Sequence, residues 1–340
     1  MANFDVFNGD AFSLTSLSGV VDKMDYKPGL LGELGLFEAM PVSTQTVWID
    51  RREDGLNLIP TSVTGAAPEE LGSDGRDAVA LKAHRLAKGA TIYAAEIAGW
   101  RAFGSESEQE RVMKEYSRKM ERVRRDVELT QEHMRLGALQ GIVYDADGST
   151  ELYNYYTQFG ESAAASTSFE LDDNTTDVRG VCHAITRSMA RSSKGAFNTG
   201  TTVHALAGDD FYDALIVHPQ VRETYLNWSA AADLRGNSAF GSFTYGGITF
   251  HNYRGTDDNN AVAIAANEVK LFPVGADGVF KHVMAPADEF IPYVGAPGQN
   301  VYSMNLRDPS GRDAWVRNEQ YSYPLFVCTR PSVLRSGTLT

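Results

Sequence analysis

Apolar positions along this chain change their spacing several times, and each change marks an element. Between Glu106 and Leu139, Val112, Tyr116, Met120, Val123, Val127, Thr130 and Met134 recur every three or four residues. That spacing predicts a helix with one narrow apolar stripe. Ser105 offers an N-cap, Glu106, Glu108 and Glu110 sit over the positive end of the dipole, and Gly141 ends the run. About 35 residues at 1.5 Å each make a rod of roughly 50 Å, longer than a compact domain of this size usually holds. A coiled coil is the alternative, but the charged faces show no sustained heptad bias.

Upstream, Gln45, Val47 and Ile49 alternate with Thr46, Trp48 and Asp50, a turn follows from Arg51 to Gly55, and Leu56–Ile59 returns. This is a hairpin signal, and Asp54-Gly55 is a favoured turn pair. Residues 64–78 are rich in Gly, Ala, Pro, Glu and Asp and read as a mobile loop, so the hairpin is expected to project. Beyond the long helix, 142–144 and 151–157 flank Asp145-Ala146-Asp147-Gly148 as a second hairpin. Residues 160–177 are small and polar and read as a linker. From Val178 the texture is α+β: helices over 178–191 and 220–232, strands over 214–217, 247–252, 261–272 and 323–329, then a polar tail.

The N-terminal stretch fits none of these patterns. Ser13 to Met24 offers one short helix, and Lys27 to Phe37 carries four leucines and a phenylalanine broken by Gly29, Gly32 and Gly35. Each glycine costs roughly 1 kcal/mol against alanine inside a helix, and the segment is too short to enclose its own apolar groups. Each buried Leu or Phe is worth roughly 1.5–3 kcal/mol, so this arm must lie on something larger, either its own body or a neighbouring copy. Leu30, Leu34, Leu36 and Phe37, with Trp48 on the hairpin and Val123 on the helix stripe, are the candidate subunit-interface residues.

Composition narrows the field. The chain has 340 residues, 43% hydrophobic and 10% aromatic, which suits a sizeable core divided into two domains or one elaborated one. No apolar run reaches membrane-spanning length, no secretory leader is legible at the start, and Cys182 and Cys328 give no disulfide framework, fitting a reducing cytoplasm. The net charge of −13 argues against tight nonspecific nucleic-acid binding. The long helical segment, with eight acidic and eight basic residues, contributes none of that charge.

Chemistry-bearing motifs are scarce. Asp145-Ala146-Asp147-Gly148-Ser149 lacks the later glycine and closing glutamate of a calcium loop and reads as a turn. Cys182 and His183 are adjacent on a helix and point about 100° apart, so they make no nucleophile–base pair. The seven histidines show no i,i+4 pair and no CxxC companion. Asp172-Asp173-Asn174 and Asp257-Asp258-Asn259 could coordinate a cation, but solvated loop acids are the usual explanation of such runs. No dinucleotide fingerprint, Walker A loop or nucleophile elbow occurs. No catalytic, cofactor or metal site is expected, a mild argument for a structural role.

Several collinear stretches resemble the lambda-type major capsid protein E family of tailed phages: 28–37, 44–49, Arg101 to Glu106, Glu132 to Gly141, 145–148, Leu152-Tyr153-Asn154, Phe159-Gly160 and Cys328-Thr329-Arg330-Pro331. They span nearly the whole chain. One departure is Ala83 before His84, where the family usually has a Pro-His pair. The resemblance implies the α+β Hong Kong 97-type shell fold. Its parts would be an N-arm (1–43), an extended loop (44–100), a peripheral domain (101–177) with spine helix 106–140, an axial domain (178–310), and a C-terminal strand and tail (311–340) returning to the body. It implies a head shell of many copies assembled in the host cytoplasm, with portal and scaffolding proteins, possible decoration protein and loosely held double-stranded DNA as partners. Alternatives are an encapsulin-like cargo compartment and a two-domain cytosolic enzyme.

Overall fold

The computed structural model describes residues 29–52, 76–96, 108–226, 242–253, 262–312 and 314–340. Its longest element is the helix Glu108–Gln140, 33 residues. Tyr116, Met120, Val123, Val127 and Met134 of the expected stripe are buried; Ser105 and the Val112 side chain lie outside the described residues. The helix stops at Gly141, whose φ of +82° is open to glycine and strained for other residues. A Cβ there would also stand 2.3 Å from the Tyr156 ring.

In chain order the strands are β1 (Glu38–Pro41), β2 (Thr46–Arg52), β3 (Arg76–Lys82), β4 (Leu86–Tyr93), β5 (Ile142–Tyr144), β6 (Glu151–Asn154), β7 (Thr167–Ser168) and β8 (Thr202–Ala207). They continue as β9 (Ser242–Tyr245), β10 (Ile248–Asn252), β11 (Glu268–Val274), β12 (Phe280–Met284), β13 (Tyr302–Arg307), β14 (Trp315–Ser322), β15 (Pro324–Cys328) and β16 (Arg335–Thr338). A six-stranded mixed sheet runs β7-β16-β11-β8-β10-β9. Period-two alternation divides β8 between two cores. Val203, Ala205 and Ala207 pack with the helices Val178–Ser192 and Asp209–Val217, while Leu206 joins the core that holds the C-terminal end of the long helix.

The three-stranded sheet β13-β14-β4 lies along the long helix. Gln320 Nε2 donates to Met120 O at 3.1 Å, Tyr116 OH donates to Asn305 Oδ1 at 2.7 Å, and Lys119 Nζ donates to Thr91 O at 2.9 Å. A second three-stranded sheet, β1-β12-β15, and the ribbons β2-β3 and β5-β6 complete the framework.

Four expectations change. Residues 214–217 form no strand: they end the helix Asp209–Val217, where Phe211, Tyr212 and Leu215 turn inward and Asp209 and Asp210 face the positive end. A four-residue apolar run has no period that separates helix from strand. β2 pairs with β3, Thr46 opposite Lys82 and Trp48 opposite Ala80; the expected return at 56–59, like the short helix at 13–24, lies outside the described residues. The small polar stretch 160–177 contains β7 and the buried Phe169 and Leu171. The polar tail is β16, an inner strand between β7 and β11. Buried Arg335 holds it there, donating to Ser188, Ser192, Ser332 and Leu334 around the C-terminal end of Val178–Ser192. Shorter adjustments are that β6 gives way at Asn154 to the helical turn Tyr155–Gln158, and that the strand expected from 261 begins at Glu268.

Two largely enclosed histidines tie this fold to pH. His251 stacks on His204 with Nε2 and Nδ1 3.0 Å apart, and His282 stacks on Phe326 with ring centroids 4.2 Å apart. Burial lowers His251 to about 4, helped by His204, and lowers His282 to about 3, helped by the Arg135 charge. Folded values below the ordinary 6.5 mean that the unfolded chain binds more protons in that window. Their stabilisation is complete above about pH 6.5 and is lost as pH falls toward 4 and then 3. Thermal melts at stepped pH are expected to show Tm falling across this window. His282→Phe is expected to flatten the lower part of the fall.

Candidate assembly interface

Near the C-terminal end of the long helix the buried face is charged. Glu128, Gln131, Glu132 and Arg135 are all buried among apolar neighbours, where an unpaired charge is costly. Arg135 Nη1 lies 3.1 Å from Glu132 Oε2, and its Nη2 lies 3.9 Å from Glu128 Oε2. Arg124 approaches Glu128 at 3.7 Å. The Arg135 guanidinium also lies 4.9 Å from the Phe326 ring centre, a favourable cation–π arrangement. Gln131 Nε2 donates to Asn300 Oδ1 at 2.9 Å and to Ser322 Oγ at 3.0 Å. Burial raises the Glu128 carboxyl above its ordinary range, while Arg135 and Arg124 pull it back.

This network holds the N-terminal segment. Leu30–Glu33 forms a single helical turn whose Leu31 side chain is 1% exposed, and the Leu31 N–H donates to Glu132 Oε1 at 2.9 Å. The turn exposes unpaired N–H groups at its start, and the carboxylate takes one of them. Gly29 makes the approach possible, since a Cβ there would stand 2.5 Å from the Glu132 carboxyl carbon. Leu30, Leu34, Leu36 and Phe37 pack half-buried against the same core. Phe37 meets Phe280 and Phe326 edge-on at 5.4 and 5.2 Å. β1 then pairs in parallel with β12, and Val42 exchanges main-chain bonds with Met284 and Gly298. Residues 29–43 are therefore seated on their own chain.

The ribbon β2-β3 behaves differently on its two faces. Val47, Ile49 and Leu81 are buried in the core beside Leu31, whereas Trp48 points outward and is 65% exposed. Downstream, His84 stands edge-on to Tyr153, whose hydroxyl donates to Lys82 O, and β4 runs antiparallel to β14. Val123 is already buried within its own chain, which leaves it little surface for a neighbour. Of the six candidates, the arm residues converge on one core, Trp48 stands outside it, and Val123 lies farther along the helix stripe. Sequence reading passed over Leu31, Glu132 and Arg135 as site residues. A legible signal was the polar set Glu128, Gln131, Glu132 and Arg135, three of them charged, sharing one helix face with apolar Met134 and Val127 nearby.

Among the described residues no group of three or more His, Cys, Asp or Glu side chains is placed to hold a metal, and no helix is long and apolar enough to cross a membrane. Cys182 and Cys328 are buried, and burial pushes both thiols up to about 12.

The long helix, the sheet along it and the six-stranded sheet together make a Hong Kong 97-type fold. The chain superposes on a prophage capsid protein from E. coli CFT073 with a TM-score of 0.58 at 14% identity, covering 96% of this chain and 99% of that one. The capsid protein of cyanophage P-SCSP1u gives a TM-score of 0.51 at 10% identity, covering 93% and 89%. Residues 13–339 match the family described as phage major capsid protein E. The major capsid protein of Salmonella phage Felix O1 is 25% identical across 95% of both chains, and that of Pseudomonas phage KPP10 is 26% identical across 86% of this chain and 87% of the relative. The chain belongs to the phage major capsid protein E family and is the subunit that forms the head shell of a tailed phage or prophage.

Glu132→Ala is expected to leave Arg135 short of one partner and Leu31 N–H without its acceptor, costing about 3–5 kcal/mol in urea unfolding. Glu132→Gln keeps an acceptor oxygen and is expected to cost less. In both variants limited proteolysis is expected to cut residues 30–37 faster than in the parent.

Proposed function

We propose that copies of this chain close into an icosahedral shell through apolar surface that is left open on elements firmly rooted at home. The observation carrying this reading is Trp48, 65% exposed on a ribbon whose opposite face is buried. A rigid aromatic on a fixed backbone loses little entropy on docking, which is why Trp is enriched among interface hot spots. In this reading residues 1–43 act as the N-arm and 44–100 as the extended loop reaching a neighbour. Residues 101–177 and 178–310 make the peripheral and axial domains, and 311–340 return to close the sheets. Leu30, Leu34, Leu36 and Phe37 add their remaining exposed rims to the contact, while Val123, buried along the helix, serves the fold of the subunit.

Each contact is weak, and closure multiplies it over every copy. No catalytic step is needed for such a role. The net charge of −13 suits a shell that encloses double-stranded DNA without gripping it. Portal and scaffolding proteins are the natural further partners for closure in the host cytoplasm, a decoration protein an additional one, and the virion the final location.

Purified protein at neutral pH is expected to give hollow closed particles by sedimentation and electron microscopy. A discrete monomer or dimer at every concentration would overturn the reading. Trp48→Ser is expected to leave the subunit Tm unchanged and raise the concentration needed for closure at least about tenfold, because a hot-spot Trp is worth about 2 kcal/mol per contact.

A further inference from the structure

Between the long helix and the sheet β13-β14-β4 the inward side chains are polar where a helix–sheet seam is ordinarily apolar. Asn318, Gln320 and Ser322 are successive inward positions of β14, and all three are buried. Their donors are committed. Asn318 Nδ2 is shared among Ser303 Oγ at 2.9 Å, Asn305 Oδ1 at 3.0 Å and Met304 O at 3.3 Å. Gln320 Nε2 donates to Met120 O at 3.1 Å. Ser322 Oγ accepts from Gln131 and donates to Asn300 O. Two acceptors are left over: Asn318 Oδ1 and Gln320 Oε1 are enclosed and receive no hydrogen bond from the described residues. Turning either amide over does not help, because its nitrogen already faces a main-chain carbonyl, Met304 O or Met120 O, which cannot donate.

We propose that this seam is a water-binding site, in which one or two buried water molecules donate to Asn318 Oδ1 and Gln320 Oε1 and so join β14 to the long helix. Buried carbonyl oxygens without a donor are rare, and leaving one bare forfeits its hydration with nothing in return. The two residues lie two positions apart on one strand face, about 7 Å between Cα atoms. A water with two protons to give, or a pair of waters, can bridge that span. The face has room for them. Across the strands Asn318 stands opposite Ala90 on β4, and Gln320 opposite Ser303 on β13, so a small side chain flanks each amide. The carboxylates beside the seam, Glu96, Asp126 and Glu128, are paired with Lys119, Lys88 and Arg124. A metal cation would therefore meet two neutral amides and no charge to offset its own. Neutral water is the ligand that fits, since it brings donors and no net charge. All the contacts come from one chain, so the site belongs to the free subunit and to the assembled shell alike.

A crystal or electron-microscopy map of the full chain, in free subunits or in shells, tests this at about 2 Å resolution or better. Density is expected within about 3.2 Å of Asn318 Oδ1 and of Gln320 Oε1, with the few polar partners of a water. Either oxygen packed dry against carbon, or met by a donor of the chain itself, would overturn the proposal. So would a peak ringed by six or more oxygens at about 2.3–2.6 Å, the signature of a hard cation. A solution readout counts the water: the amplitude of solvent deuteron relaxation dispersion measures molecules held for longer than the protein tumbles. Gln320→Leu removes one of the two acceptors and is expected to lower that amplitude by the share of at least one molecule relative to the parent. An unchanged amplitude in the folded variant would count against the site. If that variant does not fold, Ala90→Val, which fills the space beside Asn318, takes its place with the same expectation.

Discussion

Arg135 is a full positive charge held in a core, and the architecture around it follows from the need to compensate it. Its partners Glu132 and Glu128 lie on the same helix, at 3.1 and 3.9 Å, and Phe326 supplies a ring face from β15. A buried ion pair recovers its desolvation cost only when the remaining lone pairs and protons also find partners. Glu132 has one oxygen to spare after Arg135, and the Leu31 N–H occupies it. A single helical turn is too short to be stable in water. Its position is set by this one charge-assisted bond, the clearance at Gly29 and the burial of Leu31. Seating of residues 29–37 is thus coupled to a buried ion-pair network on a helix more than ninety positions away.

The long helix does for the whole chain what Arg135 does for the arm. A rod of 33 residues outruns any one core, so its two ends solve different problems. Toward the N-terminal end it is covered by a three-stranded sheet whose contacts include polar side chains, Gln320 to Met120 O and Tyr116 to Asn305. Toward the C-terminal end it enters the core shared with β1, β12, β15 and the back of the six-stranded sheet. Gly137 and Gly141 let the chain turn back tightly there. A Cβ at Gly137 would stand 2.9 Å from the Val143 backbone, so β5 lies directly on the last helical turn. The two sheets are thereby held to one rod, which transmits the orientation of one to the other.

The long helix, its stripe and its glycine stop were legible because 33 residues of one period and a positive-φ terminus leave few alternatives. The resemblance to the capsid family was legible for a different reason: its short motifs are collinear over the whole chain. Pairing was not legible. β2 pairs with β3 across more than twenty residues of sequence, and nothing local in Thr46–Arg52 encodes a partner that begins at Arg76. β16 looked like a tail because Arg335, Ser336 and Thr338 are polar, and only the three-dimensional ring of acceptors around Arg335 makes burial of that cation acceptable. At the site, Leu30, Leu34, Leu36 and Phe37 were found through their apolar character. Glu132 was missed because a glutamate on a helix is ordinarily a solvated one.

A subunit designed to stand alone would gain from covering its apolar surface, and this one leaves several such groups open on its most rigid parts. Trp48 faces out from a ribbon pinned by Val47 and Ile49, and Leu306 and Tyr93 face out from a sheet pinned by the long helix. Mobile apolar loops would collapse back onto the body; residues on the outer face of a strand cannot, because period-two geometry fixes their direction once the inner face is buried. Folding each copy therefore also displays its sticky groups at fixed positions. In the proposed assembly, subunit stability and association are separated in the sequence by parity along the strand, inward positions serving one and outward positions the other. The outward set can be weak per contact, because a closed shell repeats each contact in every copy.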